Sequence, residues 1–190
     1  MLDGVKIGFA MCGSYCTFSK ALPQMQNLVQ HGACVIPIMS ENASSTDTRF
    51  GTAKEIKSKI YDITGKDIID TIKLAEPIGP KKLLDILVIA PATGNTIAKI
   101  ANAITDTSVT MAAKATMRNG RPVVVCTATN DGLSASAKNI GTLMDMKGIF
   151  MVPLQQDDHI GKPTSIVADF SLILPTVISA LKGEQYQPLI

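Results

Sequence analysis

Apolar residues gather along this chain into short runs, several of them handing over to a polar loop and then to a stretch with helical spacing. Ile86-Leu87-Val88-Ile89-Ala90 is the clearest run, unbroken and bounded by Asp85 and Pro91, as expected of a parallel strand covered on both faces. Pro91 is expected to end it, because proline cannot donate to a β-ladder. Residues 5–10, 34–39, 121–126 and 149–153 read as further strands, and Pro37 argues against a fully central place for the second. Leu22, Met25, Leu28 and Val29 recur at helical spacing ahead of Gly32, a C-cap glycine. Helices are also predicted over 51–63, 94–103, 108–118, 133–146 and 164–181, the last interrupted at Pro175. Residues 66–80 carry little pattern, and a short strand near 71–74 is the reading there. Strands alternating with helices predict one domain over residues 1–190. It is an α/β, three-layer doubly wound parallel sheet of about six strands. Residues 183–190 form a tail that stays ordered only where it packs.

The polar loops carry the candidate chemistry. Thr93, Gly94, Asn95 and Thr96 crowd the handover from strand to helix, the edge where doubly wound sheets bind ligands. A helix N-cap with a glycine turn explains one of these residues but explains four in a row poorly, so they are assigned to a ligand site. Gly13, Ser14 and Thr17 follow the first strand and Ser40 follows the second. Three polar loops at one sheet edge suit a mononucleotide, gripped through hydroxyls, an amide and the N–H groups of a helix start. The spacing Gly8 to Gly13 is not the dinucleotide fingerprint, so one phosphate rather than two is expected. Asn130-Asp131-Gly132 is a turn signal at the same edge and reads equally as a substrate contact.

Composition narrows the classes. A charged fraction of 18% is low for a soluble domain and suggests surface buried against other subunits, the helix over 108–118 above all. Net charge is +2 with no dense basic cluster, which argues against nucleic acid. No run reaches the length of a membrane span, and Met1-Leu2-Asp3-Gly4 lacks the basic start of an export signal. A cytoplasmic protein is therefore expected. Cys12, Cys16, Cys34 and Cys126 form no paired framework and lack metal-site spacing, so Cys12 and Cys16 are read as packing residues. His31 suits the end of the first helix. Asp157, Asp158 and His159 read as a solvated loop with an acid–base alternative.

Pro91-Ala92-Thr93-Gly94-Asn95-Thr96, with Lys99, Ala101 and Asp106, resembles the Pro-Ala-Ser-Ala-Asn-Thr region of the homo-oligomeric flavin-containing cysteine decarboxylases. Gly13-Ser14 with Phe18 resembles their first flavin loop, and residues 111–124 resemble flavin prenyltransferases. Several further segments resemble the family of bacterial dipicolinate synthase B subunits across nearly the whole sequence. They are Thr48-Arg49-Phe50-Gly51, 75–80, Thr105-Asp106-Thr107-Ser108, Met111 to Thr116 with Arg118-Asn119, Asn130-Asp131 and Gln156-Asp157-Asp158.

The resemblance implies a flavodoxin-like, Rossmann-like fold and a trimer-based homo-oligomer. It implies FMN bound by Gly13, Ser14, Ser40, Thr93 and Asn95, beside Gly94. It implies an A subunit carrying NADP, and a dihydrodipicolinate-type substrate oxidised to pyridine-2,6-dicarboxylate during sporulation. Asn130, Arg49 and Arg118 are the candidates to meet its carboxylates, although both arginines read equally as solvated surface. No catalytic acid or base is assigned. Residues 74–80 lack the decarboxylases' histidine, and of their Pro-Ala-Met-Asn clamp only Asn130 remains, which argues against cysteine decarboxylation. A flavin-prenyltransferase-like or other FMN-binding activity, or a non-catalytic nucleotide- or phosphate-binding scaffold, stays open.

Overall fold

Parallel pairing of the apolar runs builds the molecule, seen here in a computed structural model that describes residues 2–190. The strands are β1 (Lys6–Met11), β2 (Cys34–Met39), β3 (Ile86–Ala92), β4 (Val123–Thr129), β5 (Ile149–Met151) and the short β6 (Ile166–Val167). The helices are α1 (Phe18–Gln30), α2 (Glu41–Ser45), α3 (Ala53–Thr64), α4 (Ile72–Ala75), α5 (Gly94–Ala101), α6 (Ser108–Arg118), α7 (Ala137–Asp145) and α8 (Ile173–Ala180). Strand order is β2-β1-β3-β4-β5, with the first five strands parallel and β6 added antiparallel to β4. This is the flavodoxin-like order, in which the chain reverses its direction of winding between β1 and β3.

Side-chain alternation divides the core into two layers. Ile7, Phe9, Met11, Ile86, Val88, Val124 and Cys126 face one way, into a cluster with Met25, Leu28, Ile60, Ile173 and Val177. Ala10, Leu87, Ile89, Val123 and Val125 face the other, against Ile97, Val109, Ala112 and Leu143. Every residue of β3 is buried, which explains its unbroken apolar run. Each such aliphatic side chain contributes about 1.5–3 kcal/mol on burial. Gly8 belongs to the second layer, where an added Cβ would stand 2.6 Å from Leu84 and 2.9 Å from Leu87.

Four expectations of secondary structure are corrected. Pro91 does not end β3, which continues to Ala92. The register against β4 shifts between Ile89 and Ala92, so the missing N–H interrupts no regular ladder there. Residues 71–74 are not a strand: the Thr71 hydroxyl accepts the Leu74 N–H at 3.2 Å and caps α4, and the nearby strand-like pairing is a single bridge between Ile38 and Ile69. Residues 164–181 are helical only from Phe170 onward, and Pro175 does not interrupt that helix. They supply β6, a 3₁₀ turn at Phe170–Leu172 and then α8, in whose first turn Pro175 has no N–H to lose. The helix expected over 133–146 begins only at Ala137, because Ser134 and Ser136 donate their N–H groups to the Asp131 carbonyl in a turn.

The apolar residues of α6 are largely covered by the chain itself, with Val109, Ala112, Ala113 and Ala115 buried, so α6 does not present the uncovered face expected of it. Ile104 is half-exposed beside a cavity of about 170 Å³ lined by Ile100, Ala113, Met117 and Met146. The tail packs on β5: Gln185 bonds both the N–H and the carbonyl of Met151, and Leu189 accepts the Leu154 N–H at 2.8 Å. Among the described residues no helix is long and apolar enough to cross a membrane.

Candidate functional site

Two backbone hydrogen bonds draw the first three polar loops together at the carboxyl edge of the sheet. Cys12 donates its N–H to the Pro91 carbonyl at 3.2 Å, and Ser40 donates to Met11 at 3.0 Å. Side chains complete the scaffold. The Tyr15 hydroxyl donates to the Asn42 carbonyl at 3.0 Å, tying the first loop to α2. The Glu41 carboxylate accepts the Ser108 N–H at 3.0 Å, placing an anion on the positive end of α6. The Thr96 hydroxyl donates to the Cys12 thiol at 3.1 Å. Burial pushes that thiol up to about 11, so it stays neutral and serves as packing.

The crevice between β1 and β3 holds two adjoining cavities that share Gly13, Tyr15 and Thr93. The narrower, about 240 Å³, is lined by Ser40, Asn42, Asn95, Thr96 and Thr107, with Lys99 its one cation among the described residues. Lys99 is engaged by Asp106 at 2.9 Å. The wider, about 550 Å³, carries Ser14, Cys16, Lys20, Phe50, Gly94, Ala128, Asn130, Asp157 and Lys162 on its walls.

Gly13, Ser14, Ser40, Thr93, Gly94, Asn95 and Asn130 thus come together from four loops. Ser40 also caps α2 through Ala43, and Thr93 caps α5 through Thr96, so cap and cavity wall coincide at both positions. Asn95 is exposed, and its amide makes no hydrogen bond among the described residues. The first-turn N–H groups of α5 and the Asn95 amide are donors and acceptors of the kind a phosphate or a polar heterocycle needs, so the residues present fit a mononucleotide.

Gly94 has a structural reason of its own. A Cβ there would meet Thr129, Asp131 and Ser136, which are knotted together: the Asp131 carboxylate accepts from the Thr129 hydroxyl and, at 2.9 Å, from Ser136. These bonds hold the Asp131 carboxyl below its ordinary range, with Thr129 the larger influence.

The arginines do not join the others. Arg49 lines neither cavity and stacks over Phe50 at 4.9 Å, which itself lines the wider one. Arg118 lies at the far end of α6, beside Gly79 and away from the crevice. Cys16 is exposed on the wider cavity, not packed as expected. Of the 157–159 trio only Asp157 reaches the site: it accepts from the Ser165 hydroxyl at 2.7 Å, which lowers its pKa, and Asp158 caps a turn through Gly161. Lys20 and Lys162 were missed, because a lone lysine on a helix or in a loop reads as solvated surface. One signal was available for Lys20, which falls one helical turn after Thr17 and so on the side of α1 facing the first loop. Among the described residues no group of three or more His, Cys, Asp or Glu comes together to hold a metal.

Residues 1–177 match the family model described as Flavoprotein. The chain belongs to the Flavoprotein family. Within that family it is 49% identical over 189 residues to the B subunit of dipicolinate synthase from Bacillus subtilis (strain 168), covering all of this chain and 94% of that one. The crystal structure of the dipicolinate synthase B subunit from Bacillus halodurans superposes with a TM-score of 0.92 at 47% identity, over 99% of this chain and 96% of that one. A more distant flavoprotein fold is that of DmrB from Burkholderia xenovorans, solved in complex with FMN and described as a cubic protein cage for redox transfer. It has a TM-score of 0.66 at 17% identity, over 83% of this chain and 91% of that one.

Proposed function

We propose that this chain is the flavin-binding B subunit of a dipicolinate synthase. It acts with an A subunit that holds NADP, in the oxidation of a dihydrodipicolinate-type precursor to pyridine-2,6-dicarboxylate in the cytoplasm of a sporulating cell. The observation that carries this reading is the full-length likeness to the two dipicolinate synthase B subunits, joined to a polar crevice at the β1/β3 switch point. Doubly wound sheets bind their ligands at such a switch point, as flavodoxin of this strand order does FMN.

Gly13, Ser14, Ser40, Thr93, Gly94 and Asn95 are the residues that would hold FMN, the narrower cavity suiting its phosphate and ribityl hydroxyls. When bound, a flavin supplies a two-electron acceptor. This chain's own part is orientation and charge. Aromatisation makes the oxidation favourable once the ring lies against the acceptor, so holding the substrate still is the main task. Asn130 offers an amide to a carboxylate, and Phe50 an aromatic wall for a flat ring. Self-association into a homo-oligomer is supported by the half-exposed Ile104 and its apolar cavity.

Light scattering with a coupled assay tests the reading. The chain alone is expected to be oligomeric and without NADP-linked turnover, which appears on adding the A subunit. A monomer with full NADP-dependent turnover by itself would overturn the subunit assignment.

A further inference from the structure

The wider cavity carries two lysines and one aspartate, an excess of one positive charge, and the flavin reading leaves both lysines unused. Lys20 comes from the first turn of α1 and makes no ion pair among the described residues. Lys162 comes from the segment joining β5 to β6, a separate element, and its Nζ stands 3.5 Å from Asp157. Asp157 is pinned in turn. The fully buried Ser165 donates its hydroxyl to Asp157 at 2.7 Å and lies 3.4 Å from the Thr129 carbonyl at the end of β4. The lysine-bearing segment is further braced by Lys162 N–H to the Asp158 carbonyl at 2.8 Å and by Gln156 to the Pro163 carbonyl at 2.9 Å. The Lys162 side chain is half-exposed, and the contact with Asp157 holds its ammonium at the cavity wall. Gly13, Gly94 and Ala128 keep part of the wall free of bulk.

We propose that Lys20 and Lys162 form a two-point clamp for an aromatic dicarboxylate in the wider cavity, with Asp157 as the residue that positions Lys162. This rests on the substrate reading above and deepens it. Two cations supplied by different elements recognise a ligand with two anionic groups better than one with a single group, since each carboxylate finds its own ammonium. Asp157 positions Lys162 and offsets part of its charge, while Lys20, with no counter-ion among the described residues, leaves the cavity wall net positive. The shared chemistry is an anion, and the phosphate of a nucleotide is the other source of one.

Calorimetric titration of the full chain tests the clamp, using pyridine-2,6-dicarboxylate, the monoacid pyridine-2-carboxylate, the aliphatic dicarboxylate glutarate, and FMN separately. The expected result is that the aromatic diacid binds more tightly than the monoacid. Lys20→Gln and Lys162→Gln each weaken the diacid by about ten-fold or more while the melting temperature and FMN affinity stay unchanged. Asp157→Asn is expected to weaken the diacid less than Lys162→Gln does, and Asp157→Glu to restore it, which a merely structural role does not explain. Diacid binding unchanged in both lysine variants would overturn the clamp. So would loss of FMN affinity in place of diacid affinity, which assigns the lysines to phosphate, and so would a wild-type chain that binds none of the carboxylates. Lysine-dependent binding of glutarate without pyridine-2,6-dicarboxylate would also overturn it, since the proposed aromatic ligand would then not be the one the lysines hold.

Discussion

Gly94 and Ser136 approach so closely that a Cβ on residue 94 would stand 2.8 Å from the Ser136 hydroxyl oxygen. The first turn of α5 therefore rests directly on the loop that follows β4. Gly94→Ala is expected to push that turn off the Thr129–Asp131–Ser136 knot, at a cost of about 1–3 kcal/mol for overpacking. Urea unfolding measures the loss, and an FMN titration shows whether Thr93 and Asn95 move with the turn.

Acid sensitivity of the knot follows from the Asp131 carboxyl, which hydroxyl donors hold below the ordinary 3.8. A folded-state pKa below the unfolded one gives stability that is present above pH 3.8 and lost as pH falls through the folded value. Asp131→Asn is therefore expected to melt below wild type at neutral pH, with the gap closing in acid. Asp157→Asn behaves in the same direction, since the Ser165 hydroxyl lowers that carboxyl too. Both side chains keep some contact with solvent, so the differences are small. Melting curves from about pH 7 down to about pH 2.5, a span that brackets the ordinary carboxylate range, read both.

Asn95→Asp separates binding from folding. The wild-type amide is exposed and makes no bond within the described chain, so the melting temperature is expected to hold. A carboxylate only accepts and repels a phosphate, so FMN affinity falls by about 1 kcal/mol or more, roughly five-fold. Unchanged affinity would reduce Asn95 to a first-turn helix residue with no part in the site.

The layers of the fold were legible where period and punctuation agreed. The second strand over Cys34–Met39 and the helix over Ser108–Arg118 have the bounds that their sequences suggest, the helix because Thr107 caps one end and Gly120 follows the other. Legibility failed where a distant partner decides. Ile166 and Val167 become a strand only because β4 offers Ala128 and Thr129 across many intervening residues. Thr71 hid a helix start behind a β-branched run. At the site, glycines and hydroxyls after strands announced themselves, because few residues suit a strand-to-helix turn. Lys20 and Lys162 did not, because their meaning comes from the cavity between α1 and the β5–β6 segment, which no local pattern records.

Titration of the purified chain with FMN and with NADP, followed by flavin fluorescence quenching and by calorimetry, addresses the central claim most directly. One FMN bound per chain, weakened by substitution of the crevice residues Ser40 and Asn95, with no comparable binding of NADP, is the result expected of a mononucleotide site between β1 and β3. Tighter binding of NADP than of FMN by this chain alone would contradict it.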